Sequence, residues 1–145
     1  MRHALRYVVA VLALLLFAPA VSHAAAAAKK YRVIIQWTEV DSLGQWIMTK
    51  HVGNLLDDLG DNNVQLEVLA YGPATFAVTT TRPQTKMAAD IAAFTKRGVT
   101  FHVCHHAMDL LGVKDAELLP TVTPIKGAMW YLTTKHDEGW YTLRP

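Results

Sequence analysis

One cysteine, Cys104, stands in 145 residues. No disulfide can therefore close within the chain. The lone thiol is buried and inert, reactive, a metal ligand, or paired with another chain, and composition alone leaves all four open. An excess of one charge is also missing: 14 Lys and Arg stand against 12 Asp and Glu. Nothing electrostatic calls for nucleic acid or an anionic membrane as partner. No GxGxxG and no Walker pattern occurs, so the nucleotide signature is absent. Cys104 and the histidines around it do not follow the paired spacing of standard zinc sites. The part after residue 24 shows no internal repeat and no low-complexity segment.

The one long apolar run is Val8 to Phe17, preceded by Arg2, His3 and Arg6 and followed by Pro19 and the small-residue stretch Ser22-His23-Ala24-Ala25-Ala26. Charge, apolar core and small residues in that order are the three parts of a secretory signal. The run falls short of the roughly 20 apolar residues that span a bilayer. Cleavage is expected after Ala24, with Ala26 the alternative. A disordered leader, 25–30, and one domain, 31–145, follow. Losing Arg2 and Arg6 leaves acids and bases balanced at 12 each. The product is expected in the periplasm or secreted, with no membrane contact after cleavage.

Tyr31 to Trp37 reads as a buried strand, apolar on both faces. Ser42 with Gln45 matches a capping box, opening a helix that runs to about Leu59. Leu43, Trp46, Ile47, Leu55, Leu56 and Leu59 recur on it at helical spacing, and Gly60 stops it. Val64 to Tyr71 is a second strand, broken by Gly72-Pro73. Thr75 to Thr79 reads either as a short extra strand or as a loop. Pro83 suits the first position of a second helix, with Met87, Ile91 and Phe94 facing the core and Gly98 at its end. Val99 to Val103 is a third strand. A short helix, His105 to Leu111, ends at Gly112, and a second runs from Lys114 to Leu119. Thr121 to Pro124, Gly127 to Lys135 and Trp140 to Leu143 complete the chain as strand, helix and strand.

Strand and helix alternate throughout, which implies parallel strands with crossover helices. The fold class is therefore α/β: a five-stranded, mainly parallel, doubly wound, flavodoxin-like sheet with helices on both faces. In a flavodoxin order the switch point lies between the first and third strands. The strand ends then bring Glu39 and Asp41, Tyr71 with Gly72 and Pro73, and Cys104 with His105 and His106 to one rim. Cys104 precedes a helix, where backbone N–H groups favour a thiolate. His105 or His106 is placed to assist it as cation or proton acceptor. The opposite reading is a small apolar residue finishing a strand. His102, Cys104, His105 and His106 also form an alternative set of metal ligands, suited to Cu(I) or zinc. Glu39 and Asp41 are read first as turn acids ahead of a helix, and Gly72-Pro73 as turn chemistry. Trp37, Trp46, Trp130, Trp140, Tyr131 and Tyr141 belong to the core or to a subunit interface.

The segments RVIIQWTEVDSLGQWIMTKHVGNLL, VQLEVLAYGPA, RGVTFHVCHHAMDLLGV, ELLPTVTP and EGWYTLRP together resemble the DsrE/DsrF-like family from about Tyr31 to Pro145. The strand ending in Cys104, followed by Met108 and Gly112, carries most of the likeness, with LAYGP at Leu69 to Pro73 second. The resemblance implies a flavodoxin-like fold assembled into trimers or hexamers. It also implies that Cys104 occupies the position at which sulfur-relay members carry a persulfide. The expected function is that of an exported sulfur carrier, without turnover of its own, with Cys104 as acceptor. His105 or His106 tunes the thiolate, and Gly72, Pro73 and Glu39 line the pocket. No cofactor is expected; the partners are small sulfur species or a thiol protein. The alternatives are an envelope metal-binding protein and a non-catalytic interaction module with an incidental, buried thiol.

Overall fold

The computed structural model describes residues 30–81 and 85–145. The expected signal, nearly all of the leader, and Pro83 lie outside the described residues.

Five strands form one sheet: β1 (Tyr31–Trp37), β2 (Val64–Ala70), β3 (Thr100–Cys104), β4 (Val122–Ile125) and β5 (Tyr141–Leu143). All four pairings are parallel, in the order β4-β3-β2-β1-β5. The doubly wound α/β class read from the sequence is the observed one. The strand order corrects the expected switch point. Strands one to four step steadily in one direction, and only β5 returns, to the free side of β1. The chain thus reverses between β1 and β5, and β2 separates β1 from β3. Alternation of elements predicts parallel strands but carries no information about which edge a late strand joins.

The reversal also dictates where the helices sit. Crossovers keep one hand, so a step in the opposite direction puts its helix on the opposite face. Helices α1 (Ser42–Leu59), α2 (Thr85–Lys96) and α3 (His105–Leu111) pack on one face of the sheet. Met48, Val52 and Leu56 of α1, Met87 and Ile91 of α2, and Met108 of α3 bury against Val33, Ile35, Trp37, Val68, Phe101 and Val103. Each such aliphatic side chain contributes about 1.5–3 kcal/mol by leaving water. Helix α4 (Ala128–Asp137) alone covers the other face, with Ala128 packed with Ile34, Leu69, Cys104 and Trp140.

Several local expectations shift. Asp41, not Ser42, caps α1, its carboxylate accepting from Leu43 N at 2.9 Å and Gly44 N at 3.0 Å. These bonds hold the Asp41 carboxyl below its ordinary pKa, the Gly44 N–H first among them. Leu43 and Trp46 of α1 face solvent, while the Met48–Val52–Leu56 stripe faces the sheet. Residues Gly72–Val78 form a 3₁₀ turn rather than a strand, and Thr79 alone keeps a bridge, to Leu118. The helix expected at 114–119 shrinks to a 3₁₀ turn, Asp115–Glu117. Pro124 sits within β4, which is an edge strand and so tolerates a missing N–H.

Candidate functional site around Cys104

Because every strand runs the same way, their carboxyl ends share one rim. Register aligns Trp37 with Ala70, Ala70 with Val103, and Cys104 with Ile125. Thr38 and Glu39, Tyr71 and Gly72, and Cys104 therefore follow one another along the rim, as expected. Cys104 lies two strands away from β1, however, not beside it.

Cys104 is the last residue of β3 and the N-cap of α3. Alternation along β3 turns its side chain, like that of His102, to the face under α4. It is 6% exposed. Its sulfur accepts a hydrogen bond from Ala128 N at 3.3 Å. Ala128 is the first residue of α4, so this donor is one of the N–H groups that no helical carbonyl takes. Ile34, Leu69, Tyr71, Ala107 and Ile125 complete an apolar surround. Tyr71 also donates its hydroxyl to Gln36 Oε1 at 2.8 Å, which ties the β2 end to β1.

The two neighbouring histidines divide. His105 Nδ1 stands 3.2 Å from Asp109 Oδ2 and its Nε2 3.9 Å from Asp115 Oδ1. His106 is exposed and its ring lies over Gly127; a Cβ there would meet Nδ1 at 3.0 Å. His102 lies beneath α4 instead, its Nε2 3.7 Å from Glu67 Oε2. The four candidate metal ligands are thus not one set: among the described residues no three His, Cys, Asp or Glu side chains gather as a metal ion needs.

Gly72 has φ +57°, a left-handed conformation that favours glycine, and starts the 3₁₀ turn with the exposed Pro73 next. This is the turn chemistry the sequence suggested. Glu39 lines a different crevice, of about 170 Å³, with Gln36, Trp37, Gly44, Ile47, Met48 and Pro145. Its carboxylate accepts from Thr38 Oγ1 at 2.6 Å and Thr38 N at 3.2 Å, with Arg144 at 3.9 Å. Those contacts, the Thr38 hydroxyl foremost, hold it below the ordinary glutamate pKa.

A second polar group lies beneath α4, and the sequence reading missed it. Glu67 of β2 is 5% exposed. Tyr131 donates its hydroxyl to Glu67 Oε2 at 2.6 Å, and Lys135 Nζ donates to Oε1 at 3.0 Å. His102 Nε2 stands 3.7 Å from Oε2. Lys135 also lies 4.1 Å from the centre of the Trp140 ring. Burial lowers the His102 pKa, so the ring is neutral at neutral pH. Burial, and then the bond to Glu67, pushes the Tyr131 hydroxyl up. The missed signal is Glu67 itself: an acid between the buried Leu66 and Val68 of the central strand must find a partner. The Ala128 N–H left no trace in residue type, because a main-chain donor is available from any residue but proline.

The family model described as "DsrE/DsrF-like family" matches residues 21–137. No curated protein matches the chain in sequence. Among solved structures, MTH1491 from Methanobacterium thermoautotrophicum, a protein of unknown function, superposes with a TM-score of 0.72 at 26% identity, over 79% of this chain and 99% of that one. The ychN protein of E. coli gives 0.64 at 16% identity, over 81% and 99%. BT1422 of Bacteroides thetaiotaomicron, also of unknown function, gives 0.60 at 17% identity, over 79% and 94%. The last two speak to the fold alone.

Proposed function

We propose, for a chain that belongs to the DsrE/DsrF-like family, that Cys104 is the acceptor of an exported sulfur carrier. One observation carries the reading: the Cys104 sulfur takes the first free N–H of α4. A helix N-terminus favours an anion, and both the thiolate and the persulfide of a carrier are anions. In the loading step the thiolate attacks the sulfane sulfur of a polysulfide or persulfide. An S–S bond forms at Cys104, the donor's S–S bond breaks, and the donor leaves as a thiolate. The proton lost by Cys104 passes to solvent. In delivery an acceptor thiolate attacks the outer sulfur and Cys104 leaves as a thiolate. The two exchanges balance without an external oxidant or reductant.

The carrier works in the periplasm or outside the cell, which rests on the leading segment of the sequence. It works as a trimer or hexamer. Support for assembly comes from Met129 and Trp130 on α4, Tyr141 on β5 and Trp46 on α1, all large and exposed. Trp37 and Trp140, by contrast, are core. Copper or zinc binding has no convergent ligand set among the described residues to support it. The burial of Cys104 is what an incidental thiol predicts, and the same experiment separates that reading.

The test is intact mass after polysulfide treatment, followed by alkylation. A gain of sulfur that reductant reverses, and that Cys104→Ser abolishes in a folded domain, is the expected result. Sulfur taken up by Cys104→Ser sinks the proposal.

A further inference from the structure

A carrier needs its sulfur reachable, yet Cys104 is covered by α4. We propose that the Glu67–Tyr131–Lys135 knot is the latch of α4, positioning the Ala128 N–H on the Cys104 sulfur and setting how often that sulfur is uncovered. The proposal takes Cys104 as the reacting group, as above.

The geometry divides α4 into two attachments. At its first residue it is held by Ala128 N on the sulfur at 3.3 Å. One and two turns further, Tyr131 and Lys135 close on the two oxygens of one carboxyl at 2.6 and 3.0 Å. The sulfur contact is weak and neutral in donor, whereas a buried, charge-assisted pair is among the stronger hydrogen bonds. The second attachment therefore decides whether the first persists. The same residues are poorly placed to act on sulfur directly. Glu67 pairs with Thr100 of β3, four residues before Cys104. Tyr131 spans the two regions: its hydroxyl is on Glu67, and its ring packs against the Cys104 cluster and stands 5.3 Å from His102. Apart from this knot, α4 is thinly held. Ala128 is its only fully buried residue, and Met129 and Trp130 are each 63% exposed. Elements with few buried apolar contacts are those that open locally. Glu67, Tyr131 and Lys135 are positioning residues here, acting on the thiol through the helix.

The measurement is the rate at which N-ethylmaleimide modifies Cys104 in the full folded protein, read by intact mass. In the wild type the reaction is slow, and its rate is flat at low urea, as for local opening. Glu67→Gln and Lys135→Met each accelerate it by about tenfold, and Tyr131→Phe by roughly threefold, since each removes part of the buried anchor. Lys135→Arg, which keeps the charge, stays within about twofold of the wild type. A merely structural role predicts something else: rates that climb steeply with urea from the start, following global unfolding. That result overturns the latch. So does immediate modification of the wild type, or an unchanged rate in folded Glu67→Gln. Should Glu67→Gln fail to fold, Tyr131→Phe decides by the same criterion. Maleimide reacts whether or not the protein carries sulfur. Acceleration without sulfur loading therefore sinks the carrier and keeps the latch, and loading without acceleration does the reverse.

Discussion

The two faces of the sheet are held by opposed means. On one, three helices bury an apolar layer that runs from Met48 and Ile91 to Phe101 and Val103. On the other, one ten-residue helix is fastened by a carboxyl, a phenol and an ammonium group. Among the described residues Glu67 is the only acidic or basic side chain that is fully buried. A buried ion pair adds little net stability compared with an apolar replacement. The first face therefore supplies the stability of the domain. The second holds one geometry, at the place where the thiol lies.

The comparison is broken most easily on the stable side. Phe101→Ala removes a fully buried ring from the three-helix face and costs about 3–5 kcal/mol in urea denaturation. A loss below about 1 kcal/mol shows that this face is not the main store of stability. On the other face the expected pattern is non-additive. Lys135→Met alone strands the Glu67 carboxyl under α4 and costs about 3 kcal/mol. Adding Glu67→Met returns stability to within about 1 kcal/mol of the wild type, because an apolar pair replaces an ionic one. Two additive losses in this double-mutant cycle contradict the claim that the knot serves geometry rather than stability.

The first face was legible in the sequence and the second was not, for one physical reason. Apolar periodicity reports burial against a layer of helices. It placed Met87, Ile91 and the strands β1 to β3 within a residue or two. On α1, Leu43 and Trp46 share the helical spacing yet face solvent, and Met48, Val52 and Leu56 make the buried stripe. The site was half legible. Cys104, its rim and the following helix come from local order, whereas the Ala128 N–H reaches it from 24 residues away. The link of Glu67 to Tyr131 and Lys135 spans 64 and 68 residues. It depends on α4 lying over β2, and hence on β5 returning to the free side of β1, which no local pattern encodes.

The smallest expected effect is a pH dependence that belongs to the second face. His102 is faced by Glu67 of β2, which favours its protonation, by Lys135 of α4, which opposes it, and by the Thr123 backbone of β4 and the Tyr131 ring. Burial is the largest influence and lowers the pKa from 6.5. The unfolded chain then takes up the proton first. Below pH 6.5 it binds more protons than the folded chain, so stability falls as pH drops from there toward the depressed folded value, and is flat above. His102→Gln removes this contribution. Urea midpoints of the two proteins at about pH 7.5 and about pH 5.5 isolate it, since every other group titrates in both. A smaller acid loss in His102→Gln is expected. Parallel losses mean that His102 is protonated as easily folded as unfolded. The Glu67 carboxyl then shares its charge between two cations at mildly acid pH, and the hold of Lys135 on α4 weakens where the latch was taken to be closed.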